Sequence, residues 1–252
     1  MPSQVRQLLL GLDIGSSRIK ALLLDDRGHD AGGARVGTPF GWGGAATELS
    51  VADLVGAVAE TLSRVGPPRR RVVAVGITGM AESGSPLDTQ GRSLAPVIAW
   101  HDPRGAEVAD RLVDHFGADL AMHIGRSVRP VSSVAKLGWL VDHGVVGTAG
   151  WLGVPELCLD ALTGSRATEF SLAACSGCWD VTDRTWLGEV AEVAGFDAAV
   201  LPRVLPAGRV MGRVSAAAAS WSGLEPGTAV TLAGHDHLVA AVGAGAAPGD
   251  LV

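Results

Sequence analysis

The chain has 252 residues, of which 47% are hydrophobic and 18% charged, and a formal net charge of −6. That length can bury a substantial core, and the composition is that of a folded globular protein rather than a disordered one. The acidic balance argues against a general nucleic-acid binder, and no run of about 18 uncharged apolar residues predicts a membrane-spanning helix.

Alternating strands and helices are expected along the chain. Apolar runs predict strands at 8–14, 18–25 and 30–37. An amphipathic helix follows over 50–65, with Ser50 as its N-cap and Gly66-Pro67-Pro68 as its stop. The β-branched run 71–78 reads as a buried strand, and a turn-rich segment leads to a short strand at 97–100. Helices are predicted at 103–116, 131–143, 154–162 and 186–194. A late strand covers 228–232, and the small apolar run 238–246 reads as a helix packed closely under a sheet. This order predicts an α/β domain with a mixed central sheet flanked by helices.

Three cysteines, Cys158, Cys175 and Cys178, form an odd set. Cys175-x-x-Cys178 lacks the second pair of a zinc site and reads as reduced structural thiols. The short apolar run 8–10 is not a signal peptide, so the expected location is the cytoplasm.

Residues 10–25, LGLDIGSSRIKALLLD, carry the strongest local signal. An apolar strand passes Asp13, turns through Gly15-Ser16-Ser17 and returns as a second strand. Backbone N–H groups in such a turn form an anion-binding concavity, and the serines add hydroxyl donors. An acid just before it is placed to hold a magnesium ion. Read alone, the segment is equally an ordinary hairpin.

Three further acids stand at predicted strand ends. Asp236, in Gly234-His235-Asp236-His237, follows the late strand, where open α/β sheets bind ligands. A carboxylate there can orient a hydroxyl nucleophile for phosphoryl transfer, or simply cap a helix. His235 and His237 read as orienting or packing groups rather than as a metal pair. Glu82 follows the buried strand 71–78 and is either a substrate contact or a solvated loop charge. In Ala99-Trp100-His101-Asp102-Pro103, a Trp face beside a carboxylate suits a sugar or polyol, and Asp102 is equally a helix cap before proline.

In their order these segments resemble the sugar and polyol kinases of the FGGY family. LGLDIGSSRIKALLLD is similar to their first phosphate motif. VAVGITGMAESGSPLDTQGRSLAPVIAWHDPRG is similar to their substrate segment, and KLGWL at 136–140 to a helix motif. WLGVPELCLDALTGSRATEFSLAACSGCWD and GHDHLVAAVGAGAAPGD resemble the later stretches, the last carrying the catalytic base.

The resemblance implies a ribonuclease-H-like fold, shared with actin and hexokinase, and ATP-dependent phosphorylation of a hydroxyl on a sugar, polyol or sugar acid. It implies Asp13 as magnesium ligand and Gly15, Ser16, Ser17 and Arg18 at the ATP phosphates. Glu82, Trp100 and Asp102 would contact substrate, and Asp236 would be the general base. Ala81-Glu82 departs from the Arg-Glu of glycerol kinases and the Met-His of xylulokinases, so no single substrate is named. Family members have two domains. Residues 1–246 are therefore expected to form the N-terminal one and 247–252 to begin the connection to the second. The isolated chain is expected to have little kinase activity, and a homodimer through the surface left open is one expected assembly. A non-catalytic sugar-binding or regulatory module of the same fold is the alternative, and an actin-like ATPase ranks below both.

Overall fold

Strict alternation along the first strand decides which face of the sheet becomes the core. In β1 (Leu8–Ile14), Leu8, Leu10, Leu12 and Ile14 are buried, while Leu9, Gly11 and Asp13 point the other way. β2 (Arg18–Leu24) repeats the pattern with Ile19, Ala21 and Leu23 inward. Each such leucine contributes on the order of 2 kcal/mol by leaving water. These positions belong to a computed structural model that describes residues 7–41, 47–247 and 249–250. Of the expected connection 247–252, residues 248, 251 and 252 lie outside the described residues, as do residues 1–6 of the expected domain.

The main sheet continues with β3 (Asp30–Gly37), β4 (Val72–Gly79), β5 (Gly212–Arg213) and β6 (Ala229–His235), in the order β5-β6-β4-β1-β2-β3. β1, β4 and β6 run parallel and adjacent, and the other neighbours are antiparallel. The mixed sheet expected from the sequence is thus present.

Its buried face is covered by α1 (Val51–Val65) and by the helix Val154–Thr163, through Leu54, Val58, Leu62, Leu157, Leu159 and Leu162. α1 begins where Ser50 predicts: the Ser50 Oγ accepts the Asp53 N–H at 3.0 Å. A separate helical cluster joins α2 (Ala106–Phe116), the short helix Asp119–Ile124, α3 (Ser133–Asp142) and the helix Gly188–Ala194. Between the two clusters lies a small four-stranded sheet of Glu48–Leu49, Val97–Ile98, Gly84–Leu87 and Gly150–Gly153.

Several boundaries differ from expectation, each for a local reason. The strand expected at 97–100 ends at Ile98, and Trp100 lies in the turn beyond. α2 starts at Ala106 rather than 103, because Gly105 takes φ 93° as its N-cap and would place a Cβ 2.7 Å from the Ala135 carbonyl. The helix expected from 186 starts at Gly188, since Trp186 pairs with Trp179 in a two-residue strand. The final helix (Asp236–Gly243) was expected to pack closely under a sheet. None of its residues is buried, and Leu238 and Val242 are 49% and 70% exposed. Its small side chains give it little area to bury against the sheet, and no layer covers its outer face among the described residues.

Candidate active site

The three parallel strands end level with one another, and that register assembles the site. Ile14 of β1 is opposite Gly79 of β4, and Gly79 is opposite His235 of β6. The residues just before and after this row are Asp13, Met80–Glu82 and Asp236. Close approach here requires Gly79, whose added Cβ would lie 2.7 Å from the Ile14 carbonyl oxygen. Carboxyl ends of parallel strands are where open α/β sheets bind ligands.

On β1, Asp13 faces away from the core. The antiparallel register sets it opposite Lys20, whose Nζ lies 2.8 Å from Asp13 Oδ2. The other oxygen, Oδ1, is buried and has no hydrogen-bond partner among the described residues. The turn that follows is closed by the Gly15 N–H donating to the Arg18 carbonyl at 3.0 Å. Thr38 pins it by donating its hydroxyl to the Gly15 carbonyl at 2.6 Å. Gly15 serves close approach, since a Cβ there would lie 3.0 Å from the Arg18 oxygen. The Ser16 and Ser17 N–H groups make no backbone bond among the described residues. Ser17 and Arg18 are exposed.

Glu82 is held in an unusual backbone conformation, with φ at 68°. For a side-chain-bearing residue this left-handed region costs about 1–2 kcal/mol, and it persists only where the surroundings over-determine it. Those surroundings are buried: Met80, Ala81 and Ser83, with the Val154 N–H donating to the Ser83 carbonyl at 3.0 Å. The Glu82 carboxylate meets Arg126, whose Nη2 is 2.7 Å from Oε1. Burial pushes the Glu82 carboxyl up, and Arg126 and Arg129 partly offset that. Asp236 begins the final helix, and its Oδ1 is buried without a hydrogen-bond partner among the described residues. His235 Nε2 and His237 Nε2 approach that oxygen at 3.2 and 3.6 Å. Burial pulls His235 below its ordinary value, although Asp236 acts in the opposite direction. His235 is anchored from the other side by its backbone N–H, which donates to Ser171 Oγ at 2.8 Å.

A cavity of about 480 Å³ lies among these groups, although Asp13, Gly15, Ser17 and Arg18 are not among its lining residues. Of the residues singled out from sequence, Ser16, Glu82, Trp100 and Asp236 line it. Arg126, Arg129, His235 and His237 line it as well. The two arginines escaped the sequence reading. Their only signal was a pair of cations three residues apart after Gly125, which ends a short helix with φ 72°.

Asp102 is placed differently. It is 3% exposed and is not among the lining residues. Arg104 grips its carboxylate with Nε and Nη2, both at 2.8 Å, and the Thr47 and Arg104 N–H groups add bonds at 2.9 and 3.0 Å. Burial alone would raise this carboxyl, but the Arg104 fork and the two N–H groups prevail and hold it at about 2. Arg104 also reaches Glu48 and lies over the Trp139 ring at 5.2 Å. Beneath it Lys136, fully buried, donates to the carbonyls of Asp102 and Arg104.

Behind Glu82 a second cavity of about 30 Å³, large enough for one water, is bounded by Glu156, Gly153 and Thr168. Glu156 accepts from the Thr168 hydroxyl, its Oε2 has no partner among the described residues, and burial pushes its carboxyl up to about 7. The cysteines are free thiols. Cys178 donates to the Leu187 carbonyl at 3.3 Å, and Cys175 Sγ lies 3.9 Å from His235 Nδ1.

Comparison with known proteins places this arrangement in context. The chain matches the FGGY family of carbohydrate kinases, N-terminal domain, over residues 8–243. It is 26% identical over 257 residues to L-fuculokinase of Escherichia coli K12, covering 96% of this chain and 53% of that protein. It is 22% identical over 245 residues to gluconokinase of Bacillus subtilis 168, covering 94% and 48%. The crystal structure of xylulose kinase from Rhodospirillum rubrum shares the fold, with a TM-score of 0.88 at 24% identity, over 95% of this chain and 52% of that one. The chain spans about half the length of the curated relatives it matches.

Proposed function

From the premise that this chain belongs to the FGGY family of carbohydrate kinases, as its match over residues 8–243 establishes, we propose that it forms the acceptor side of an ATP-dependent kinase. The substrate is a hydroxyl of a small sugar, polyol or sugar acid. One observation carries the reading most: among the described residues, Asp13 Oδ1 and Asp236 Oδ1 are buried carboxylate oxygens without hydrogen-bond partners, at the carboxyl ends of β1 and β6 on either side of β4, and Asp236 lines the cavity. Unpaired buried oxygens are costly, and ligands commonly satisfy them.

In this reading the substrate hydroxyl donates to Asp236 Oδ1. As its oxygen bonds to the γ-phosphorus of ATP, the proton passes to Asp236, the bond to the bridging oxygen breaks and ADP leaves. His235, held by Ser171, keeps the carboxylate oriented. Glu82 accepts a substrate hydroxyl through the oxygen not engaged by Arg126, and the Trp100 face packs on C–H groups. Gly15, Ser16, Ser17 and Arg18 receive the phosphates. The donor set also fits magnesium, a hard cation that prefers carboxylate oxygens, with Asp13 Oδ1 holding it while Lys20 occupies Oδ2. A magnesium ion bound there would neutralise developing charge on the phosphates. Asp102 contributes through position, its carboxylate fixing the Trp100–Arg104 segment. Three free thiols fit a cytoplasmic site of action, and self-association would use exposed apolar positions such as Leu238 and Val242.

A coupled ADP-release screen of the complete gene product against ketoses, polyols and aldonates tests the proposal. Saturable, magnesium-dependent turnover of at least one class is expected. Failure of every class to be phosphorylated would overturn it.

A further inference from the structure

We infer that the acceptor is a sugar acid, its carboxylate taken by Arg129 beside Arg126 at the wall of the cavity. The inference rests on the kinase reading above and deepens it by choosing among its substrate classes.

The charges around the cavity do not cancel pairwise. Arg126 is committed to Glu82 at 2.7 Å, and Asp236 is flanked by two imidazoles. Arg129 lines the same cavity, and no carboxylate lies within ion-pair distance of its guanidinium among the described residues. Its backbone is fixed in place nonetheless. Its N–H donates to Ser132 Oγ at 3.3 Å, and its carbonyl accepts the Ser132 N–H at 2.9 Å. Neighbouring Val128 is buried in the helical cluster. Arg129 is exposed at the mouth of this half-open cavity, and a guanidinium on an anchored loop there, with no carboxylate within ion-pair distance among the described residues, is matched to a planar carboxylate that accepts two parallel N–H bonds. A neutral ketose or polyol needs acceptors and an apolar face, which Glu82, Asp236 and Trp100 already provide, and makes no ion pair with that cation.

The nucleotide phosphates are the other anions in the reaction, but their proposed donors lie on the hairpin between β1 and β2. Arg129 arises from the helical cluster, beside Glu82. The carboxylate end of the acceptor would therefore sit toward Arg129, with the reacting hydroxyl at Asp236. The cavity volume lies in the range of small-ligand sites.

The test compares matched pairs of aldonate and alditol, identical except at the terminal carbon, as substrates of the complete gene product. In parallel, calorimetry without ATP measures binding of the same compounds to the 252-residue chain. The expectation is an aldonate preference of about a hundredfold in kcat/KM. Arg129→Gln should raise KM for the aldonate tenfold to a hundredfold with little change in kcat, and Arg129→Lys should recover part of the loss. Alditols or ketoses turned over as well as aldonates, or an aldonate KM unmoved in Arg129→Gln, would overturn the inference and leave the kinase reading intact. Aldonate binding that depends on Arg129 without any phosphorylation would sustain the ligand assignment and remove the kinase reading. Absence of both binding and turnover for aldonates would overturn the inference outright.

Discussion

Asp102 and Asp236 stand at equivalent-looking places in the chain, each an acid beyond a strand at the threshold of a helix, yet their surroundings are opposite. Around Asp102 both oxygens are taken by Arg104 and Thr47, Arg104 is taken further by Glu48, and Lys136 closes the carbonyls below. Around Asp236 an oxygen is buried and left without a hydrogen bond among the described residues, and the same holds for Asp13. A saturated polar network fixes geometry, whereas an unsatisfied one waits for a partner. Residue type and strand-end position nominate a carboxylate, and hydrogen-bond accounting distinguishes one whose oxygens are filled from one left open.

The comparison is broken most severely by attacking the saturated side at its base. Lys136→Met strips a buried cation from two carbonyls and from the vicinity of Asp102. Leaving two buried carbonyls without their donor costs roughly 1–3 kcal/mol each. Urea unfolding should show that loss, and a change below about 1 kcal/mol would mean the network is not structural.

Glu156 offers the next largest effect, through pH. Its carboxyl is raised in the fold from 4.5 to about 7, so the folded state binds the extra proton. The Glu156 contribution is therefore full below about pH 4.5 and declines as pH rises through about 7, by about 3 kcal/mol at one pKa unit per 1.36 kcal/mol. Glu156→Gln should flatten the slope of unfolding free energy between pH 5 and 8, and an unchanged slope would count against it.

Asp102 behaves in the reverse sense. Its carboxyl falls from 3.8 to about 2 on folding, so its contribution is present above pH 4 and is lost as pH falls toward 2. The shift corresponds to about 2 kcal/mol. Acid unfolding of Asp102→Asn should lack that component, while the protein is less stable at neutral pH by a similar amount.

The smallest effect has the opposite sign. Glu82 occupies a left-handed conformation that glycine adopts freely. Glu82→Gly should raise the unfolding free energy by about 1 kcal/mol while weakening acceptor binding measured by calorimetry. A variant that gained stability and kept its affinity would sever the link between strain and function.

Much of the site is legible in the sequence because its residues sit where local rules place them. Leu8 to Ile14 alternate cleanly, Ser50 caps a helix, and Asp13, Glu82 and Asp236 each follow an apolar run. What escapes depends on partners far along the chain. Asp102 reads equally as a cap or a ligand contact, yet the helix is capped at Gly105, and the Asp102 oxygens are occupied by Arg104 and by the Thr47 N–H from more than fifty residues away. Arg126 and Arg129 carry no periodic signal, and only the packing of Val128 and Ile124 into the helical cluster brings them to Glu82. The two-residue strands at Glu48–Leu49 and Val97–Ile98 are too short for any alternation to show, and exist because the small sheet pairs them. Exposure of the last helix is equally invisible, since a small apolar run reads the same whether or not a layer covers it.

The most direct test sets two isosteric substitutions side by side in the complete gene product, Asp236→Asn and Asp102→Asn, each measured for turnover and for thermal unfolding. A crossing pattern is expected. Asp236→Asn should lose about 10²–10⁴-fold in kcat with acceptor affinity and melting temperature nearly unchanged, as expected for loss of a general base. Asp102→Asn should melt earlier and lose far less kcat. Wild-type turnover in Asp236→Asn, or a larger loss of kcat in Asp102→Asn than in Asp236→Asn, would contradict the division between site and scaffold.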